Sequence, residues 1–496
     1  MSNKIHVNSI YESSVNVGDG IGIIYGTVGT SSFDCCLTYP VQKNDYVQVW
    51  HESYGWILGQ IEKLERRTNL SIEKANQVYN GEDVEIEERI IGSVAVIGYR
   101  DKRGLLQTPR FPFKAGTRVY HASEELIKEV LGLKENMNGA YIGKLVGHDI
   151  KVRLDINSLV QKHMSILAKT GGGKSYVAGV LIEELIKQGV TVLILDPHGE
   201  YTSLRKKGRK SDKNFDVEPR SYASFIEEFS PDTRVNRNAK PLRFTLSNLT
   251  ARDLLSLTNI KNVRTYLPPL RKALDILHTS KPHYTIKDII KVLTADESGE
   301  YGTLITELEY LDEINIFASQ GTRIDEVVRE GKTTIINFRG TPPDIQELIV
   351  NRICTALFEL RKIGKIPAMM LVVEEAHNFC PQQGLAASSK ILRTIASEGR
   401  KFGLGLTIIT QRAAKVDKNV LSQCNTQIIL KVTNPNDLKA IVSSVEGLTS
   451  AAADEIQRLP TGVAVVTAPN LSMPLYVEVR PRETLHGGES VKVVSG

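Results

Sequence analysis

A chain of 496 residues, 41% hydrophobic and 24% charged, has the composition of a soluble folded protein and length for about three domains at roughly 150 residues each. Its formal net charge of +5 permits a polyanionic partner without requiring one, because counterion-driven binding depends on local clustering. Five cysteines, Cys35, Cys36, Cys354, Cys380 and Cys424, share no Cys-x-x-Cys spacing, which excludes a disulfide scaffold or zinc ribbon and fits a reducing compartment.

The opening Met1-Ser2-Asn3-Lys4-Ile5-His6 leads into polar sequence without an apolar core, so no secretory signal is expected. The longest apolar runs, such as 190–195, fall far short of the roughly 20 residues of a spanning helix. A cytoplasmic protein with no membrane partner is expected. Short apolar or alternating segments at 21–28, 46–50, 55–61, 90–99 and 117–121, punctuated by Gly, Asp and Asn, predict a small β-barrel. A polar helix is expected around 71–79. Residues 1–155 contain no cluster that carries chemistry and read as a structural or docking module.

From Met164 the pattern changes to alternating strand and helix, the mark of a parallel sheet. Apolar runs at 165–168 and 191–195 predict strands buried on both faces, with Val177, Val180, Leu181, Leu185 and Ile186 at helical spacing between them. Further strands are expected at 334–338, 369–373, 406–410, 427–432 and 463–466. A helix at 344–361 would be capped by Asp344 and buried through Ile345, Ile349, Ile353, Leu357 and Leu360. Residues 215–330 break the rhythm with helical segments at 251–257, 266–277, 286–293 and 304–317, and read as an all-helical insertion. The α/β core is thus expected in two parts, 156–214 and 331–472. A C-terminal extension, 473–496, would hold one short strand at 475–479 and then an extended polar tail.

Ala168-Lys169-Thr170-Gly171-Gly172-Gly173-Lys174-Ser175 follows an expected strand and opens an expected helix. Three glycines let backbone N–H groups curl round a triphosphate, and the helix dipole points its positive end there. Thr170, Gly171, Gly172, Gly173, Lys174, Ser175 and Tyr176 are therefore the expected nucleotide-binding residues, with ATP as ligand. Lys174 would contact the β- and γ-phosphates and the Ser175 hydroxyl would ligate Mg²⁺. The motif ordinarily begins with Gly; Ala168 stands there.

The run 369–373 ends in Glu374-Glu375, which a buried strand would deliver to the nucleotide edge of the sheet. Glu374 is expected in the Mg²⁺ shell, through water, and Glu375 as the general base on the attacking water. His377 reads as a packing or hydrogen-bonding residue. Gln411, ending the strand at 406–410, would touch both γ-phosphate and water. Arg400 is the candidate to neutralise the transferring phosphoryl group of a neighbouring subunit, with Arg393 as competitor on much the same helix face. Asp196 or Glu200 could join a metal or water network or simply form a turn. The densest basic cluster, 205–210, makes Lys206, Lys207 and Arg209 candidate DNA contacts, and its lack of aromatic residues argues against single-strand stacking.

Taken together, the motifs at 169–175, 195–201, 373–377, 398–403 and 410–426 resemble the HerA family of hexameric ATPases, within the broader HerA–FtsK group. The resemblance implies a RecA-like P-loop core, an N-terminal barrel of the HAS type, a homo-hexameric ring, and ATP-driven movement along double-stranded DNA threaded through the pore. It further implies partnership with a NurA-type nuclease, docked on the barrel, in double-strand-break end resection in an archaeal-type setting. Ala168 and Glu374 depart from the commonest pattern. A related ring ATPase moving conjugative DNA or protein at a membrane is the alternative, disfavoured by the lack of a spanning segment. A nucleotide-gated scaffold without motor activity is disfavoured by the lysine and candidate base.

Overall fold

The computed structural model describes residues 20–487 apart from 134–138, 212–213, 256, 259, 261, 282, 298, 385, 446–447 and 449, and the side chains of Asn248, Ser450 and Ala451. The chain divides into two compact units, one ending at Glu135 and including Gly147–Ile150, the other comprising Asn136–Val146 and everything from Lys151.

In the first unit, β1 (Gly22–Val28), β2 (Ser32–Leu37), β3 (Tyr46–His51), β4 (Gly55–Thr68), β5 (Glu88–Arg100) and β7 (Arg118–His121) form an antiparallel sheet in the order β2-β1-β7-β3-β4-β5. Pairing of β2 with β5 closes it into a barrel, and β6 (Leu106–Gln107) adds a hairpin to β5. Closure leaves no free edge. Ile24, Phe33, Val47, Ile57, Ile61, Val94 and Val119 point inward and make the core. Two helices belong to this unit, α1 (Ile72–Tyr79) between β4 and β5, and α2 (Glu124–Leu131). The expected barrel strands are present; β2 was not foreseen.

The second unit is built on a twelve-stranded sheet. Its strands in chain order are β8 (Gly139–Leu145), β9 (Lys151–Asp155), β10 (Met164–Leu167), β11 (Thr191–Asp196), β12 (Ile226–Ser230), β13 (Lys240–Pro241), β16 (Thr333–Asn337), β17 (Met369–Val373), β18 (Leu404–Thr410), β19 (Thr426–Ile429), β20 (Val463–Thr467) and β21 (Leu475–Val479). They lie in the order β13-β12-β16-β11-β17-β18-β10-β19-β20-β21-β8-β9, parallel from β13 to β19 and antiparallel beyond. Every residue of β10, β11, β17 and β18 is buried, the signature of parallel strands covered on both faces. The covering helices include α3 (Ile156–Lys162), α4 (Lys174–Lys187), α9 (Ile324–Val327), α10 (Pro343–Lys362), α11 (Ser389–Glu398), α12 (Lys418–Leu421), α13 (Pro435–Ser444) and α14 (Ser450–Arg458). The helical insertion consists of α5 (Ala251–Leu255), α6 (Val263–Ser280), α7 (Ile286–Thr294) and α8 (Gly302–Ile314). Its base is closed by the parallel pair β14 (Phe244–Thr245) and β15 (Phe317–Ala318). No helix of the described residues is long and apolar enough to cross a membrane.

Four expectations are corrected. The barrel does not extend to 155: β8 pairs with β21, and β9 with β8, at the edge of the large sheet. The segment 215–330 is not helical throughout. It opens with β12, hidden in the sequence by two glutamates, of which Glu228 is buried and receives Asn337 Nδ2 at 3.0 Å and Arg205 at 3.2 Å. Asp344 does not cap α10, which begins on the Pro342-Pro343 pair with Pro342 at the cap and no side-chain cap bond. Proline at a helix start needs no N–H partner.

The fourth concerns the tail. Arg480, Arg482, Glu483 and Thr484 are buried, not extended in solvent. Arg480 is the largest fully buried side chain, ion-paired with Glu183 at 3.0 Å and Glu184 at 2.7 Å, both on the inner face of α4. Glu183 also accepts the Glu483 and Thr484 backbone N–H groups. The Arg482 guanidinium lies so close to Gly179 that a Cβ there would meet it at 2.5 Å, so α4 carries glycine where the arginine crosses. The remainder, 488–496, lies outside the described residues. Removing the cation from two buried carboxylates costs far more than the ion pair contributes. We expect Arg480→Ala to destabilise the second unit by about 3–5 kcal/mol, read as a lower thermal transition, whereas alanine at exposed Lys210 leaves that transition unchanged.

Candidate active site

Parallel register brings the loops after β10, β11, β17 and β18 to one edge of the sheet, where open α/β sheets bind ligands. The loop after β10 turns through Gly171 and Gly173, both at positive φ (+69° and +93°), and a Cβ on Gly172 would stand 2.9 Å from the Lys169 carbonyl. Ala168 is buried at the end of β10 and tolerates its place. Gly173 begins α4 without a side-chain cap, so the first N–H groups of that helix are aimed at the loop's concavity.

Lys174 and Glu375 are both buried and 3.6 Å apart. Glu375 holds a left-handed backbone (φ +48°), uncommon for a non-glycine residue. Its Oε2 is buried without a hydrogen bond, although His377 Nδ1 lies 3.3 Å away. His377 Nδ1 also stands 3.0 Å from Thr410 Oγ1 at the end of β18, which bears out the hydrogen-bonding reading of that histidine. Burial pushes the His377 pKa down, against the attraction of Glu375. Gln411 accepts a hydrogen bond from Thr170 Oγ1 on the phosphate loop.

Glu374 is buried on the β11 side. The Tyr201 hydroxyl donates to its Oε2, and burial pushes its carboxyl up to about 8, against the pull of that hydrogen bond and of Lys174. Tyr201 is itself fully buried. Its loop is organised by Asp196, whose carboxylate accepts the backbone N–H groups of His198 (3.2 Å), Gly199 (2.9 Å) and Tyr201 (3.0 Å). Burial still raises Asp196 to about 6. Of the two options left open for Asp196, the turn is therefore its structural role. Tyr201 was inside the motif at 195–201 but not foreseen as the partner of Glu374; a buried tyrosine hydroxyl needs an acceptor, and nothing local in sequence supplies one.

Tyr176 and the two arginines expected to act on a neighbouring subunit lie away from this edge. Tyr176 follows Ser175, but its hydroxyl accepts the Arg482 backbone N–H at 2.9 Å and its ring packs on His486. Arg393 and Arg400 do not share a helix face. Arg393 lies in α11 and donates to Asp417 at 2.6 Å, while Arg400 is exposed in the 3₁₀ turn Gly399–Phe402. That turn feeds the start of β18 and Gln411 follows its end, so seven strand residues, roughly 20 Å, separate Arg400 from the nucleotide edge of its own chain. Lys206, Lys207 and Arg209 are exposed. Their segment is tied to the C-terminal one by an isolated β-bridge between Lys207 and Thr484 and by Gly208 N–H to Glu483 O at 2.9 Å.

A glycine cradle at an uncapped helix start, a lysine within it and two acids at the end of β17, one strand removed from β10, define a P-loop ATPase. The sequence matches the family model described as Helicase HerA, central domain, over residues 140–357. It is 30% identical to the Probable helicase MJ1565 of Methanocaldococcus jannaschii across 96% of this chain and 94% of that one. It is 26% identical to the DNA double-strand break repair helicase HerA of Pyrococcus furiosus across 94% of this chain and 93% of that one. In fold it is similar to VirB4 of Thermoanaerobacter pseudethanolicus, with a TM-score of 0.50 at 17% identity, covering 70% of this chain and 97% of the other. The chain belongs to the HerA helicase family and is an ATP-hydrolysing enzyme.

The pKa shifts set a pH dependence. The folded values of Glu374 and Asp196 lie above the ordinary carboxylate values of 4.5 and 3.8, so the native state keeps protons that the unfolded chain releases. Their contribution is present in full below pH ~4 and is lost as pH rises to ~8. Thermal melting without nucleotide or magnesium should therefore show stability falling across that window. Glu374→Gln, which keeps an acceptor for Tyr201, should flatten the fall between pH 6 and 8.

Proposed function

We propose that this chain is a ring-forming ATP motor, a homo-hexamer that moves along double-stranded DNA and acts as a helicase with a nuclease in double-strand-break end resection. Family membership supports the DNA-repair reading, since relatives carry that name. One geometric observation carries the ring: Lys174, Glu374, Glu375 and Gln411 gather at one edge of the sheet, whereas Arg400 stands at the other and cannot serve its own phosphate loop. A neighbouring subunit is what brings such an arginine to a nucleotide.

In this reading the N–H groups of Gly171–Gly173 and the start of α4 bind the phosphates of ATP. Lys174 leaves Glu375 for the β- and γ-oxygens, and Glu375 is left free to take a proton from the attacking water. Its Oε2 makes no hydrogen bond among the described residues, and its backbone is left-handed. The buried Glu374 carboxyl is held by Tyr201 and would give up its proton on meeting a cation, and Ser175 stands in the first turn of α4. These two would hold Mg²⁺, Glu374 through water. When bound, the ion neutralises charge on the β- and γ-phosphates. Gln411, already on Thr170, orients the water and senses the γ-phosphate. Arg400 neutralises the neighbour's transferring phosphoryl group; Arg393, held by Asp417, is the less available arginine. Lys206, Lys207 and Arg209 contact DNA phosphates, and the barrel docks a NurA-type nuclease.

Glu375→Gln should bind ATP normally and lose roughly 10²- to 10⁴-fold in DNA-stimulated turnover, measured by phosphate release; full turnover would remove its assigned role. Pure Arg400→Ala rings should be similarly impaired. Mixing the two inactive variants regenerates complete sites at about a quarter of interfaces by random assortment in a closed ring, so activity should return on mixing. Mixtures that stay inactive would exclude a shared site. Neutralising Lys206, Lys207 and Arg209 together should reduce the slope of log affinity against log salt by about 0.9 per lost phosphate contact; an unchanged slope would take the cluster out of the DNA path.

A further inference from the structure

Beyond the barrel wall, β4 and β5 continue as a two-stranded ribbon capped by α1. Not one residue of α1 is buried, yet the helix is amphipathic, with Ile72, Ala75, Val78 and Tyr79 on one side. Ile72 is 84% exposed and Tyr79 89%, and Ile86 beside them is also exposed. An eight-residue helix is marginal in water without a packed face, and an exposed apolar stripe rimmed by polar residues marks a docking surface. The arm is acidic: residues 71–89 carry six Asp or Glu against Lys74 and Arg89. Of these, Glu73, Glu82, Asp83 and Glu85 are exposed.

The opposite end of the barrel carries the complement. β5 runs from the arm at Glu88 to Arg100, and residues 101–117 then form the β6 hairpin and the return to β7. This stretch holds Lys102, Arg103, Arg110 and Lys114 against Asp101 alone, and exposes Leu105 (51%) and Phe111 (59%). The thirteen residues of β5 hold the two surfaces roughly 40 Å apart, so they cannot meet within one chain.

We propose that the acidic apolar arm of one copy docks on the basic apolar 101–117 surface of the next. The contact is head-to-tail, the arrangement that closes into a ring, with charge setting partner and register. The occupant of the arm is a second copy of this chain, and the proposal rests on the ring reading above. It assigns the barrel a part in assembly besides any part in docking a nuclease.

The test uses the full-length protein in sedimentation velocity across a dilution series. Ile72→Asp with Tyr79→Asp, both exposed, should raise the concentration at which assemblies dissociate by roughly tenfold or more, with thermal melting unchanged as the check on folding. Reversing Glu82, Asp83 and Glu85 to Lys should weaken assembly likewise, as should reversing Lys102, Arg110 and Lys114 to Glu. The two reversed proteins, mixed, should associate where neither does alone. Wild-type assembly with indifferent arm variants overturns the docking proposal and leaves the ring standing. Reversed proteins that fail to associate on mixing also overturn it, leaving a different partner as the occupant of the arm. A wild-type chain that stays monomeric with ATP and DNA overturns both readings.

Discussion

Parallel register is the constraint on which the rest depends. Because β11, β17, β18 and β10 run the same way and lie side by side, every loop that follows them emerges at the same edge. Four separate stretches of sequence, some 240 residues apart between Thr170 and Gln411, are thereby brought together. The same register removes Arg400 from its own site, since the segment before a strand must lie at the edge opposite the segment after it. One geometric rule thus gathers Lys174, Glu374, Glu375 and Gln411 at one edge and leaves Arg400 at the other.

The charged side chains behind this edge are buried. Glu374, Glu375, Asp196, Tyr201 and Lys174 are all buried or nearly so, and the charges among them are only partly balanced. A buried carboxyl beside one tyrosine hydroxyl is uncomfortable as an anion, which is why Glu374 sits so far above the usual range. Strain in the same place, at the left-handed Glu375, is of the kind that persists where surrounding structure over-determines it.

Much of this was legible in the sequence, and for identifiable reasons. The phosphate loop and the Glu374-Glu375 pair follow continuous apolar runs that only doubly covered strands require, so their position at the binding edge could be read before any coordinates. The barrel strands alternate with turn residues between them and were equally plain. What escaped was non-local. Glu227 and Glu228 make β12 look polar until Arg205 and Asn337 are seen against Glu228, and Lys240 and Arg329 against Glu227. The segment 480–484 looks like a solvated tail because its partners stand in α4. β8 and β9 follow the barrel in sequence with nothing local to assign them to either sheet, and the pairing of β8 with β21 decides. Tyr201 needed a map of depth, since no spacing rule connects it with a glutamate 173 positions on.

The clasp of Arg480 on Glu183 and Glu184 spans 297 positions of chain. Ribosomes deliver a polypeptide from its amino end at about 5–20 residues each second, so α4 and its two acids wait many seconds for their counter-ion. During that interval Glu183 lacks the arginine that balances it, whereas Glu184 already has Lys187 on its own helix. The face that α4 buries is therefore completed only by the far end of the sequence, and the helix that opens the phosphate loop depends for its packing on residues made last.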